Sequence, residues 1–455
     1  MKKRFNIKEF FKRHLGMIII LIVLLVFPTS FSNQTRLNMR VIVTGVAIDK
    51  SDDKYEVTAQ IVKTSPGTES PGVSAMVNFI SDKDESLLGA MSKISYKAGK
   101  VSAFSHTNFI VIGKELMESE DINTCLNYFI RDRIIKDTAL VLFAEDKASD
   151  EIKKTKDIEL SVGIGIQKVF IFKEKESDGI MITVQDFLND NEDLSKSSVA
   201  SILKFTSIEE ESSSDQSGSS SNSKSSDSKG EGAESSGGES SNSGSSESGK
   251  GESEGGGGGA SGSSESESSS SGGGEEKTKY FAPTEKLACF CNGKFKGMLS
   301  GDKEVLGYML CYSKARSDDF SIKNIECESL KDSTIGIKVK SKKNKYKIRY
   351  ENGKPKLDLV IAVKSAEIES IQSDKLFSSL SKEEYKAIKD ALEKDIREKV
   401  SACFEKSKEL KADILKAYEL AYKTKYKETK NYSSPEEFLN DLEINVEVKI
   451  DRLEY

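Results

Sequence analysis

Tryptophan is absent from this 455-residue chain, and histidine occurs only at positions 14 and 106. With His14 in the basic N-terminal stretch, His106 is the one imidazole left for a Ser-His-Asp or Cys-His arrangement. It precedes the apolar run "NFIVIG", where a hydrogen-bonded structural histidine is the expected role. Cysteine is sparse and scattered, at Cys125, Cys289, Cys291, Cys311, Cys327 and Cys403. Cys289 and Cys291 in "LACFCNG" share a face if that segment is a strand. A structural zinc site needs a second such pair and histidine, and the chain has no second pair. Buried free thiols are expected, with a disulfide as the alternative in an oxidising exterior. The glycines at 255–259 lie in serine- and glutamate-rich sequence, not between a strand and a helix, so they form no phosphate loop. Asp49 and Asp132 have no spacing that pairs them, and Asp413 in "KAD" fits a cap or a local partner. No catalytic, cofactor-binding or metal-ligating residue is assigned, no cofactor is expected, and the chain does not read as an enzyme.

Long apolar runs are also scarce. The longest, "LGMIIILIVLLVF" at Leu15–Phe27, follows the strongly basic "MKKRFNIKEFFKRH". Such a basic flank stays cytoplasmic, which places the rest of the chain outside. Residues 1–32 are therefore expected to be a signal or anchor segment. Two fates are open: cleavage after Ser32 at Ser30-Phe31-Ser32, or retention of Leu15–Phe31 as a short spanning helix. The first cysteine is Cys125, so there is no lipoprotein signal.

What the chain has in excess is serine, glycine and glutamate near its middle. Between Glu209 and Glu276 there are 15 acidic side chains and three lysines, a net charge of −12 in a chain whose total is −6. The remainder therefore carries +6, which suits an anionic membrane surface and falls far short of a nucleic-acid-binding stripe. With almost nothing apolar to offset ordering entropy, 209–276 is expected to be a disordered insert.

Around the insert, alternation and periodicity predict an α+β fold of three mixed α/β domains with antiparallel-rich sheets. In "YEVTAQIVKT" the apolar residues fall on every second position, the mark of a half-buried strand after the turn "SDDK". "SLLGAMSKISYKA" and "ELMESEDINTCLNYFIRD" read as helices, "NFIVIG" and "TALVLFAE" as strands. Asn352-Gly353 predicts a hairpin turn. An apolar stripe from Tyr385 to Tyr418, broken only at Ser407, predicts one helix over about 381–427 lying along a sheet. The expected domains are 33–160, 161–304 with the insert inside it, and 305–455 with the long helix.

Several stretches carry a resemblance, in order along the chain. "VTGVAIDKSDDKYEVTAQIV", "FSHTNFIVIGKELM", "YFIRDRIIKDTALVLFAE", "ACFCNGKFKGMLSGDKEVLGYML" and "KADILKAYELAYKTKY" with "INVEVKI" resemble the spore germination receptor C subunits, the GerAC-like family. That family's lipoprotein cysteine and usual tryptophans are missing here, so anchoring falls to Leu15–Phe31 or to partner membrane subunits. The resemblance implies an exported, membrane-associated subunit of a nutrient-germinant receptor, on the outer face of the spore inner membrane. It implies as partners a multi-spanning transporter-like subunit and a second membrane receptor subunit, with a small nutrient bound only as part of the complex. The role implied is assembly and germination signalling. The rival reading is a membrane-anchored surface adhesin or envelope-binding protein, with the acidic serine-rich segment as a stalk. A stalk belongs between complete domains, whereas "SSVASILKFTSI" and "KYFAPTEKLACFCNGKFKGML" read as two parts of one.

Overall fold

Asp52 and Asp53 both hold positive φ, 52° and 59°, which matches a two-residue turn to the right-handed twist of the strands it joins. That turn folds β1 (Arg40–Ser51) back on β2 (Lys54–Lys63). The computed structural model describes residues 15–17, 20, 39–63, 76–131, 133–155, 164–176, 179–207, 279–281, 286–315, 317–372 and 380–454. The signal or anchor segment lies almost wholly outside these, and the insert, 209–276, lies outside them entirely. Among the described residues no helix is long and apolar enough to cross a membrane.

β3 (Met76–Asp84), a strand the sequence reading did not contain, extends the sheet beside β2. Helix α1 (Leu87–Ala98) starts where the Ser86 hydroxyl accepts from Gly89 N, and it buries Leu87, Ala90, Met91 and Ile94. β4 (Val101–Ala103), β5 (Phe109–Ile112) and β6 (Leu140–Phe143) complete a sheet ordered β3-β2-β1-β5-β6, with β4 beside β1. The expected helix over "ELMESEDINTCLNYFIRD" is two, α2 (Lys114–Ser119) and α3 (Ile122–Arg131). Asp121 interrupts it by accepting from Asn123 N with its side chain. After the β1-β2-β3 meander, α1 returns the chain to β4 and β5, and α2 and α3 carry it from β5 to β6; β5 therefore pairs in parallel with both β1 and β6. The sheet is mixed, not antiparallel-rich.

α4 (Ala148–Lys154), α5 (Ile164–Lys175) and α6 (Val184–Glu192) lead into a second sheet. Its strands β7 (Ser197–Ser201), β10 (Lys286–Cys291) and β11 (Lys294–Ser300) are wholly antiparallel, in the order β11-β10-β7. β8 (Phe205–Ser207) pairs with β9 (Lys279–Phe281), so hydrogen bonds run directly between the chain before the insert and the chain after it. Residues on both sides of 208–277 belong to one unit. Phe143, Phe187 and Phe290 meet with ring centroids 4.6–6.0 Å apart, and one apolar cluster runs from the first sheet into the second.

α7 (Gly301–Cys311) passes to the third sheet, β12-β13-β14-β15. Its strands are β12 (Asp318–Ile322), β13 (Thr334–Glu351), β14 (Lys354–Gln372) and β15 (Glu443–Ile450), with β16 (Leu453–Glu454) at the side of β14. Asn352 and Gly353, at φ 53° and 80°, turn the long hairpin as the sequence predicts. Helix α8 (Lys382–Glu409) opens on a capping box between Ser381 and Glu384. It buries Ile388, Leu392, Ile396 and Val400, a row of i, i+4 neighbours, against Ile337, Val339, Leu359 and Ile361.

The helix does not continue to 427. Lys411 takes φ 53°, and the Ser407 hydroxyl donates to Ala412 O at the one place where the apolar stripe skips. A new helix, α9 (Ala417–Thr424), begins after Asp413, followed by α10 (Tyr426–Thr429) and α11 (Pro435–Asp441).

Candidate functional site: a buried polar junction

Asp413 sits in the turn between α8 and α9 and is 2% exposed. Its carboxylate accepts from Ala417 N at 3.0 Å and Tyr418 N at 2.8 Å, the first free N–H groups of α9. A third donor comes from far away in sequence: Ser195 Oγ, at 2.7 Å. Ser195 Oγ in turn accepts from Glu419 N at 3.2 Å. Burial pushes the Asp413 carboxyl up, and these hydrogen bonds together with the nearby Lys416 charge pull the other way.

Three residues on, Lys416 holds φ 57°, a left-handed conformation that few residues adopt. Its ammonium meets Asp193 Oδ2 at 2.7 Å and Asp190 Oδ1 at 3.3 Å, and donates to the carbonyls of Asp190 and Ser197. "KADILKAYEL" therefore fastens residues 190–197, the end of α6, its connection and the start of β7, to the layer carrying the third sheet. Asn191 continues the chain of contacts. It donates to Phe187 O and Ser198 Oγ, both at 2.8 Å, and accepts from Gly293 N at 2.9 Å. Gly293 stands at φ 72° in the "CNGK" turn, and its carbonyl accepts from Ile122 N of α3. A Cβ there would lie 2.2 Å from Asp121 Oδ1. Only glycine fits.

The first sheet has a comparable fastening. Asp49, at the end of β1, accepts from Ala148 N at 2.7 Å and Ser149 N at 2.8 Å, opening α4. Beside the Asp413 junction lies a cavity of about 430 Å³ lined by Tyr308, Tyr312, Tyr346, Leu415 and Lys416, among others. Tyr312 donates to Glu174 at 2.9 Å, tying α7 to α5.

The arrangement holds parts together. Asp49 and Asp413 have their oxygens taken up by donors; Glu56 stands opposite Asp49 in the β1–β2 register and adds its negative charge to the burial that raises the Asp49 carboxyl. Asp132 lies outside the described residues. His106 ends a short 3-10 turn, Phe104–His106, and is exposed, unlike the hydrogen-bonded residue expected. All six cysteines are free, so the disulfide alternative does not arise. Burial pushes the thiols of Cys125, Cys289 and Cys311 up to about 12, which keeps them protonated. Among the described residues no three His, Cys, Asp or Glu side chains gather as a metal site. The capping role of Asp413 was legible, but the sequence reading missed Ser195, Lys416, Asn191 and Gly293. Nothing local marks a serine as the partner of an aspartate 218 positions away.

The fold and junction thus define a class: a three-sheet α+β protein whose buried polar groups join layers. The family model for the spore germination protein N-terminal domain matches residues 33–205, and that for the spore germination B3/GerAC-like C-terminal domain matches 285–453. The chain belongs to this GerAC-like spore germination family. Among curated proteins of Bacillus subtilis (strain 168), it is 30% identical to spore germination protein B3 over 112 residues, 24% of this chain and 29% of that one. It is 24% identical to spore germination protein KC over 181 residues, 38% of this chain and 44% of that one. Each alignment thus spans less than half of the curated relative. A solved structure, the crystal structure of the GerBC protein, aligns with a TM-score of 0.45 and 16% identity over 90% of this chain and 97% of its own.

Proposed function

We propose that this protein is the exported, membrane-associated subunit of a spore nutrient-germinant receptor, acting in assembly and germination signalling without catalysis. The observation that carries the reading is the match of both family domains, at 33–205 and 285–453, on either side of the insert. The stretches resembling the family supply fastenings between layers, Asp49, Gly293, Asp413 and Lys416, which supports a coupling role. In this reading the protein sits on the outer face of the spore inner membrane. Its partners are a multi-spanning transporter-like subunit and a second membrane receptor subunit. A nutrient binds only within the complex, and no nucleic acid is involved. The division into domains 33–160, 161–304 and 305–455 is part of the same proposal, as is a membrane segment within 1–32.

Spores lacking the protein should fail to germinate with one class of small nutrients and still respond to calcium dipicolinate, which bypasses the receptors. Normal germination with every nutrient, or loss of both responses, would refute the proposal.

A further inference from the structure

The C-terminal end of α1 carries an exposed knob that the core does not use. Tyr96 is 83% exposed, Met39 55% and Val101 53%. Three large apolar or aromatic side chains standing in solvent within one small area are unusual for a surface with no partner. The backbone brings them together. Gly99 ends α1 at φ 62° and turns the chain straight into β4. β4 pairs with the start of β1, with Arg40 opposite Val101, so Met39 lies at the same edge. Arg40, Lys97 and Lys100 are exposed at its margin, with one acidic side chain, Asp82, beside Lys97. Lys97 is shared with Asp82 at 3.0 Å, and no ion pair among the described residues involves Lys100. An amphipathic aromatic, two aliphatic side chains and basic groups at their margin match the interfacial zone of an anionic bilayer.

The chain's own order decides which surface this is. Only residues 32–38 separate the apolar segment ending at Phe31 from Met39. Even fully extended, that stretch reaches at most about 28 Å. An anchor in the membrane therefore keeps the edge bearing Met39, Arg40 and Val101 within that reach of the lipid headgroups, while Tyr426, exposed on α10 and far along the chain from the anchor, has no such tether. We propose that the Met39, Arg40 and Tyr96–Val101 knob rests in the headgroup region of the anionic membrane, orienting the first sheet on it. This rests on the membrane-anchored reading given above.

The absence of tryptophan makes the test direct, because each introduced tryptophan is the sole indole reporter. Full-length Tyr96→Trp and Val101→Trp chains, with Tyr426→Trp as the control, are reconstituted in vesicles of equal phosphatidylcholine and phosphatidylglycerol. All three sites are exposed, so the core is undisturbed, and circular dichroism checks the fold. Lipids brominated on the acyl chain should quench the first two reporters about twofold more than the third, with emission shifted to the blue. If the chain floats with the vesicles but all three reporters are equally unquenched, the knob is not on the membrane and this inference fails alone. If the chain does not float, the anchored reading fails and takes the inference with it. Shielding of Tyr96→Trp from acrylamide that appears only when the other receptor subunits are added, without bromolipid quenching, assigns the knob to a protein and overturns the proposal.

Discussion

Replacing Asp413 with alanine strands three donors at once: Ser195 Oγ, Ala417 N and Tyr418 N. Losing a cap and leaving buried donors unpaired should lower stability by roughly 2–4 kcal/mol in urea unfolding. The pH dependence gives a sharper check. Burial holds the folded Asp413 carboxyl above its ordinary 3.8, so the folded state keeps this proton longer than the unfolded chain. Its contribution to stability is then full below the unfolded value and falls as pH rises through the folded one. The stability advantage of the natural chain over Asp413→Asn should therefore shrink from acid toward neutrality. An advantage that grows with pH would mean that the donors outweigh burial. The thiols provide a second test at this scale. Cys125, Cys289, Cys311 and Cys403 are buried, Cys291 and Cys327 only partly so. A thiol reagent should label at most those two quickly in the native protein and all six in denaturant.

At the scale of elements, the tightest constraint is the turn after β10. Gly293→Ala forces a side chain into left-handed backbone and into Asp121 and Asn123. It should lower the melting free energy by about 2 kcal/mol or more, against about 1 kcal/mol for Gly99→Ala, which meets only the backbone strain. Equal losses would show that the α3 contact has no effect. The helices show how element boundaries were half readable. The stripe from Tyr385 to Tyr418 carried a correct face and a correct start near 381, and its skip at Ser407 marks where α8 gives way. Propensity alone favours continuing through "EKSKELKAD". The break depends on Ser195 and the α6–β7 connection holding Asp413 and Lys416, contacts that no window of sequence contains.

For the whole molecule, the insert is the clearest test. β7 pairs with β10 and β8 with β9 whatever the length of chain between them. Closing a loop of about 70 residues instead of about 7 costs only about 2 kcal/mol in entropy. Replacing 209–276 with a short Gly/Ser turn should leave the melting temperature equal or slightly higher. The composition of 209–276 also predicts that limited proteolysis cuts there first. The two fragments should then co-elute from a sizing column, because the second sheet is built from both. Separation of the fragments would refute an interrupted domain.

What this sequence determined by itself is local and compositional. It determined the two-residue turns at Asp52-Asp53 and Asn352-Gly353, the period-2 strands, the helix start near 381, the isolation of His106 and the charge imbalance of the insert. Each depends on backbone sterics, side-chain alternation or net charge, which neighbouring residues suffice to set. The tertiary structure alone decided the parallel half of the first sheet, the third strand at its edge and the division of two expected helices. It also decided that Ser195, Asn191, Gly293 and Lys416 are the fastenings. Those outcomes depend on which distant donors are present to satisfy buried acceptors, and an unpaired buried group is too unfavourable for local preference to override.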